Sequence, residues 1–346
     1  MKYTNLPNTN LEVSKICLGT MTFGRQNTIE DAHDQMDLAL DKGVNFIDTA
    51  EMYAVPFTME TQGLTEAYIG KWFAKNGNRD KVVLATKITG PGRGIFKEIR
   101  DPLDFSAASL TDALHKSLKR LQTDYIDLYQ LHWPERSVNV FGVRDYDHAP
   151  NAEWDDNLAE IVTRLEDFVN QGKIRHIGLS NETPYGVMRY MEAHRKGATK
   201  MVSVQNAYNL LQRRDEVGLT EVLQMENIGY LPYSPLAFGM LSGKYLNNRK
   251  PENARVTLFP NYSRYSGKLS FRATEKYAEL AKKYDLSLPQ LALAFVNSRS
   301  FVTSNIIGAT TLAQLEENIG SINVTLSEEM LSEIEKVHQQ IPNPAP

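Results

Sequence analysis

Four residues in the first part of the chain have the types to move a proton: Asp48, Tyr53, Lys87 and His132. FIDTAEMY (46–53) ends an apolar run in a carboxylate and, five residues on, a phenol. KVVLATK (81–87) ends in a lysine, and DYIDLYQLH (124–132) ends in a histidine. A phenol with its ordinary pKa of about 10 is a poor acid near neutrality, and a neighbouring ammonium favours its phenolate. A lysine in a dry site needs a counter-ion, which Asp48 can supply. A neutral His132 can donate a hydrogen bond that orients a carbonyl oxygen beside the phenol. Together these groups suit addition of a hydride to a carbonyl, with Tyr53 delivering the proton. Singly, each has a plainer reading: Asp48 opening a turn, Lys87 solvated, His132 in the core or at the surface. Metal and acyl-hydrolysis chemistry fit worse, because the chain has no HxH, HExxH, cysteine pair or GxSxG elbow.

The elements that must position them alternate. Short apolar runs recur at 15–19, 44–50, 81–87, 124–132, 174–180, 201–206, 228–234 and 304–310. Amphipathic stretches lie between them. In TIEDAHDQMDLALDKG (28–43), Ala32, Met36, Ala39 and Leu40 share a face, Thr28 is the expected N-cap, and Gly43 is the stop. The opening MKYTNLPNTNLEVSKI reads as a β-hairpin. Eight strand–helix units predict an α/β fold, a (β/α)8 TIM barrel with an N-terminal hairpin and extra C-terminal helices; an open doubly wound sheet is the alternative. No linker composition divides 1–346, so a single domain is expected. In a barrel, consecutive strand ends share one rim, and there the four residues would meet.

Composition narrows the class. The 346 residues are 42% hydrophobic with a formal charge of −4, which gives no basic footprint for nucleic acid or an anionic membrane. One cysteine, Cys17, excludes an internal disulfide and fits a reducing compartment. The polar start lacks a signal core, and no run approaches a membrane span. A cytoplasmic protein is expected.

Strand-end Asp48, Tyr53, Lys87 and His132, in this order, resemble the catalytic tetrad of the aldo-keto reductase superfamily. The similarity runs through LGTMTFG, IDTAEMY, ETQGLTE, SLKRLQTDYIDLYQLHWP, SNET, GVMRY, YSPLAFG, GKYLN and the closing NPAP. It implies reduction of an aldehyde or ketone to an alcohol with NADPH bound across the rim. By that resemblance, Gly19, Thr20, Met21 and Asp48 lie near the nicotinamide and its ribose. Ser180, Asn181 and Gln205 match the side chains that hold the carboxamide, which needs both donors and acceptors. Tyr233 matches the aromatic stacked on the nicotinamide, and Ser234, Leu236, Gly239 and Lys244 match the pyrophosphate loop. GATTLAQLEEN (308–318) matches the adenine end through Gly308, Thr310, Gln314, Glu317 and Asn318, with Thr310 opening the helix. That helix start carries no Lys or Arg, a departure from much of the superfamily; Arg255 matches the arginine used for the 2′-phosphate by the branch that includes channel β subunits. The departure leaves NADP favoured over NAD. Two glycine-rich decoys, GPGRGI (90–95) and GMLSGKY (239–245), fit neither a Rossmann fingerprint nor a Walker motif; the first reads as a flexible rim loop.

Two segments exceed what the scaffold needs: the one after Tyr53, with Pro56, Phe57 and Met59, and the one after His132, from Trp133 to 157. Phe57 and Trp133, with Phe141, Arg136 and Arg144, are expected to line a pocket for a carbonyl compound with an aromatic or anionic part; a solvated loop is the plainer reading. Two other functions remain open on sequence. One is a cofactor-binding redox sensor related to potassium-channel β subunits, although no N-terminal extension precedes the hairpin. The other is a Schiff-base lyase using Lys87, which a paired lysine fits poorly.

Overall fold

A computed structural model of the chain describes residues 1–92, 94–147 and 156–346. Arg93 of GPGRGI and residues 148–155 of the segment after His132 lie outside the described residues. β1 (Tyr3–Asn5) and β2 (Glu12–Ser14) form the antiparallel hairpin. Eight parallel strands follow: β3 (Ile16–Gly19), β4 (Phe46–Asp48), β5 (Val83–Ile88), β6 (Ile126–Leu131), β7 (Ile174–Ser180), β8 (Met201–Gln205), β9 (Gly229–Tyr230) and β10 (Asn305–Ile307). They pair in sequence order, and β10 returns to pair with β3. The ring closes where the Thr303 N–H donates to the Tyr230 carbonyl and the Ile306 N–H to the Pro232 carbonyl, both at 2.9 Å. This is the expected (β/α)8 barrel.

Alternation within the strands explains the barrel's interior. Cys17, Phe46, Ala85 and Leu128 face inward and pack on Leu6, Leu11 and Val13, so the hairpin plugs the bottom. Two residues further along the strands, Gly19, Asp48, Lys87 and Gln130 form the next inward layer. Leu18, Ile47, Leu84 and Tyr129, at the alternate positions of the strands, face outward into the helix layer.

The helices between strands are α1 (Ile29–Asp41), α2 (Leu64–Asn76), α3 (Ala107–Leu121), α4 (Leu158–Asn170), α5 (Pro184–Arg195) and α6 (Leu219–Met225). Thr28 caps α1 in a reciprocal box with Asp31, and Gly43 just beyond it has φ +84°, as a helix stop requires. Leu40 is less buried than expected; Gln35 takes its place on the packed face. The β9–β10 connection is long and carries α7 (Arg255–Leu258), α8 (Lys268–Lys283) and α9 (Leu288–Asn297). α10 (Leu312–Gly320) follows β10, and the extra C-terminal α11 (Glu328–Gln340) packs on α8 through the Lys283–Glu333 pair. β9 is shorter than the run 228–234 because Pro232 has no N–H for the ladder to β10.

Candidate active site

The carboxyl ends of the strands open into a cavity of about 1000 Å3. Asp48 lines its floor, and Lys87 and Gln130 are buried behind it, both bonded to its carboxylate. Lys87 is fully buried, and its Nζ donates to Asp48 Oδ2 and to the Thr49 carbonyl, both at 2.7 Å. The Tyr53 hydroxyl lies 3.5 Å from the same nitrogen. Asp48 accepts two more bonds at Oδ1, from Gln205 Nε2 at 2.8 Å and Gln130 Nε2 at 3.2 Å. A buried carboxylate with one ammonium and two amide donors is fully engaged, which keeps the pair in one geometry.

Tyr53 is set above that floor by backbone bonds. The Glu51 N–H donates to the Lys87 carbonyl at 3.0 Å and the Gly63 N–H to the Tyr53 carbonyl at 2.7 Å. Glu51 is itself buried, accepting from Arg100 at 2.6 Å and the Thr89 N–H at 2.9 Å. The His132 ring meets the Tyr53 ring edge-on, with centroids 5.9 Å apart, and both line the cavity. Burial pushes the Tyr53 phenol up; the Lys87 charge opposes this without reversing it. Sequence reasoning expected the ammonium to dominate, but the surrounding protein strips more water from the phenol than one cation offsets. Lys87 is held above the ordinary lysine value: burial favours the neutral amine, and Asp48 and Tyr53 together outweigh it.

The residues expected around a nucleotide line the same cavity. Gly19 ends β3 and Thr20 and Met21 follow it; Thr20 Oγ1 donates to the Asp48 carbonyl at 2.8 Å. A side chain at Gly19 would strike Ile306, so this glycine also serves barrel closure. Ser180, Asn181, Gln205 and Tyr233 are bonded to one another's neighbourhood. The Tyr233 hydroxyl donates to Asn181 Oδ1 at 2.7 Å, Asn181 Nδ2 to the His132 carbonyl at 2.9 Å, and Ser180 Oγ to the Gln205 carbonyl at 2.8 Å. The next turn is tightly wound, with Ser234, Ala237, Phe238 and Gly239 all at positive φ. Three of these are not glycine, so the loop stores strain of a kind that gathers at binding sites. A Cβ at Gly239 would sit 2.9 Å from Lys244 Cε, so Gly239 makes room for the lysine stem. Leu236 and Lys244 line this part of the wall.

At the far end stand Gly308, Thr310, Gln314, Glu317 and Asn318. Thr311, not Thr310, caps α10. Thr310 instead donates through its N–H and hydroxyl to Gln314 Oε1, at 3.0 and 3.1 Å. Glu317 accepts from Ser287 and Asn318 donates to the Gly308 carbonyl. Arg255 is half-buried, with its guanidinium over the Phe238 ring at 5.3 Å and Met21 Sδ 4.0 Å from its Nη1. Burial and Arg255 lower the Lys244 amine, and burial lowers Arg255. Among the described residues neither has a carboxylate within ion-pair distance.

The expected substrate wall is rearranged. Trp133 lines the cavity with Phe96, Phe141, Met52 and Val55. Phe57 does not; it stands behind Phe96, ring centroids 4.9 Å apart. Arg136 is turned away to Glu182 and Thr183, and Arg144 donates to the Asn343 and Pro346 carbonyls. Sequence reasoning missed Gln130, Tyr262 and Arg264. Gln130 was legible by parity, two residues before His132; the other two sit in the β9–β10 connection, where no periodicity points inward.

Comparison with known proteins decides the family. The aldo/keto reductase family profile matches residues 15–339. The chain belongs to the aldo/keto reductase family. It is 49% identical over 350 residues to protein Tas of Escherichia coli K12, covering both chains completely. It is 34% identical to the uncharacterized oxidoreductase YrpG of Bacillus subtilis, over 96% of this chain and 94% of that protein. An aldo-keto reductase of Babesia bovis is 41% identical over 69% of this chain and 88% of its own length. Family membership makes the chain an oxidoreductase. Among the described residues no cluster of three metal-ligating side chains exists, and no helix is long and apolar enough to cross a membrane.

Proposed function

We propose that this chain is a single-domain, NADPH-dependent reductase of aldehydes or ketones, with Tyr53 as proton donor. The observation that carries the reading is the buried Asp48–Lys87 pair set 3.5 Å from the Tyr53 hydroxyl at the floor of the cavity. The cofactor part rests on Lys244 and Arg255, two half-buried cations among the cavity residues that lack carboxylate partners among the described residues and match the chemistry of a nucleotide's phosphates. Ser180, Asn181 and Gln205 would face the carboxamide, Tyr233 the nicotinamide ring, and the α10 end the adenosine.

When bound, a reduced nicotinamide supplies a hydride to the carbonyl carbon. The chain's own residues do the rest. Tyr53 Oη gives its proton to the carbonyl oxygen, Lys87 stabilises the charge left on the phenol, and Asp48 keeps Lys87 charged and in place. His132, edge-on to Tyr53, orients the carbonyl oxygen. The apolar wall of Trp133, Phe141 and Phe96 excludes water from the reacting atoms. A Schiff base at Lys87 fits worse, because its nitrogen is held cationic by Asp48.

The test is titration with NADPH and NADH, followed by protein fluorescence, then consumption of NADPH with a panel of aldehydes. Trp133 in the cavity wall is the expected reporter. Saturable binding that favours NADPH, with turnover lost in Tyr53→Phe and NADPH binding kept, is the expected result. Binding of neither nucleotide overturns the reading; binding without turnover of any carbonyl leaves a redox-sensing role in its place.

A further inference from the structure

A second, smaller cavity of about 210 Å3 adjoins the first. Phe141, Gly142, Asn181, Tyr233 and Arg264 line both, so these residues form the neck between them. The charges around the small cavity are unevenly committed. Glu182 is engaged by Arg136 and by the Thr183 N–H at 2.6 Å. Asp215 accepts from the Tyr230 hydroxyl at 2.8 Å and from Asn206 Nδ2 at 3.0 Å. Both anions therefore have their donors.

The two guanidiniums, by contrast, meet only neutral acceptors among the described residues. Arg214 donates to the backbone carbonyls of Val143 and Arg144, at 3.2 and 3.0 Å, and feels Asp215 without pairing to it. Arg264 is packed among rings, 5.4 Å from the centroids of Phe141 and Phe238 and 5.8 Å from that of Tyr265. Its polar neighbours are the hydroxyls of Tyr233 and Tyr265. Among the described residues no carboxylate lies within ion-pair distance of either group. Aromatic faces hold a guanidinium well but leave its N–H edge without an anion.

These cations adjoin the pair assigned to phosphate, since Arg255 at 5.3 Å and Arg264 at 5.4 Å share the Phe238 ring, but only Arg264 and Arg214 line the small cavity. Lys244 and Arg255 act on each other, and Arg255 is felt by Tyr53. Arg264 and Arg214 act on each other, and Arg264 is felt by Tyr233 at the neck. From Tyr53 to Arg264 the wall is a relay of rings: His132 at 5.9 Å, Trp133 a further 5.0 Å, Phe141 a further 5.6 Å. A molecule whose carbonyl meets Tyr53 would lay an apolar spacer along these rings and reach Arg264 with its other end.

We propose that the substrate is an aldehyde or ketone that also carries a carboxylate, which Arg264, backed by Arg214, receives at the neck of the two cavities. This rests on the large cavity being a carbonyl-reduction site. Arg264 then acts as a specificity residue: it separates acids from neutral compounds of the same shape.

The probes are 4-carboxybenzaldehyde and its methyl ester, which share the aldehyde and the ring and differ in charge. The kcat/KM ratio of acid to ester should be about 10 or more in the wild-type enzyme. Arg264→Gln should reduce that ratio by roughly 10- to 100-fold, as expected for a lost charge-assisted bond, and Arg264→Lys should lie between. Calorimetric titration of the acid into protein saturated with NADP+, where no turnover occurs, should weaken in step. A wild-type ratio near or below one overturns the proposal. So does an unchanged ratio in Arg264→Gln, or an equal loss on both compounds with weakened NADPH binding, which would make Arg264 a cofactor contact. If neither aldehyde is reduced, the reductase reading fails and calorimetry still decides: acid binding that depends on Arg264 supports an anion site, and binding that ignores it removes one.

Discussion

Replacing Lys87 with methionine keeps most of the buried volume and removes the charge. Three contacts then change together, because Nζ serves Asp48, the Thr49 carbonyl and the Tyr53 hydroxyl. For the chemistry, a unit charge 3.5 Å from the phenol at an effective dielectric of about 20 favours the phenolate by about 5 kcal/mol. Asp48 cancels part of this, and the transition state develops only part of the charge. A loss of about 3 kcal/mol, roughly 100-fold in turnover, is the working figure. For the fold, Asp48 is left buried with two amide donors, and breaking a buried pair from one side costs roughly 3–5 kcal/mol. The double variant Asp48→Asn/Lys87→Met removes both charges and should regain most of that stability. Urea denaturation and single-turnover NADPH oxidation read the two effects separately. The expected pattern is stability lost and then recovered, with turnover lost in both variants. Lys87→Met within tenfold of wild-type turnover, or a double variant that recovers activity along with stability, would refute the role given to Lys87.

Other measurements bear on the same site. Since burial pushes the Tyr53 phenol up, reduction should show no alkaline limb from Tyr53 below about pH 10; a limb near pH 7–8 that Tyr53→Phe abolishes would contradict this. Lys87 also sits above its ordinary value, so its contribution to folding is complete below about pH 10.4 and is lost as pH rises through the folded value. Urea midpoints across pH 8–11 check the sign. Arg255→Leu should weaken NADPH about 10- to 100-fold and NADH much less, since a single charge-assisted contact to phosphate is removed; equal weakening would place Arg255 elsewhere on the nucleotide. Cys17 is fully buried with its thiol pushed up by burial, so a thiol reagent should label it only after unfolding.

Much of this architecture was written in parity. Asp48, Lys87 and His132 each lie an even number of residues from an inward apolar neighbour, Phe46, Ala85 or Leu128, so the strand pattern that places the floor also aims the polar layer above it. Thr28 and Asp31 announced α1 through local capping chemistry. The failures arose where local pattern says nothing about distant contacts. Phe57 is apolar and beside the site in sequence, yet Phe96 takes the front position. Arg136 and Arg144 looked available until Glu182 and the tail carbonyls claimed them. Arg264 is more than thirty residues beyond Tyr233 in a connection without periodicity, and only the folding of that connection over the barrel mouth brings it to the neck.

The plugged bottom of the barrel has a consequence for traffic. With Leu6, Leu11 and Val13 sealed against Cys17, Phe46 and Leu128, the chamber is a cul-de-sac. Nothing passes at the hairpin end, so substrate, product and the proton that reloads Tyr53 all come and go on the carboxyl side of the barrel. Arrival, departure and recharging therefore share one face of the molecule, and a change to the loops on that face bears on all three at once.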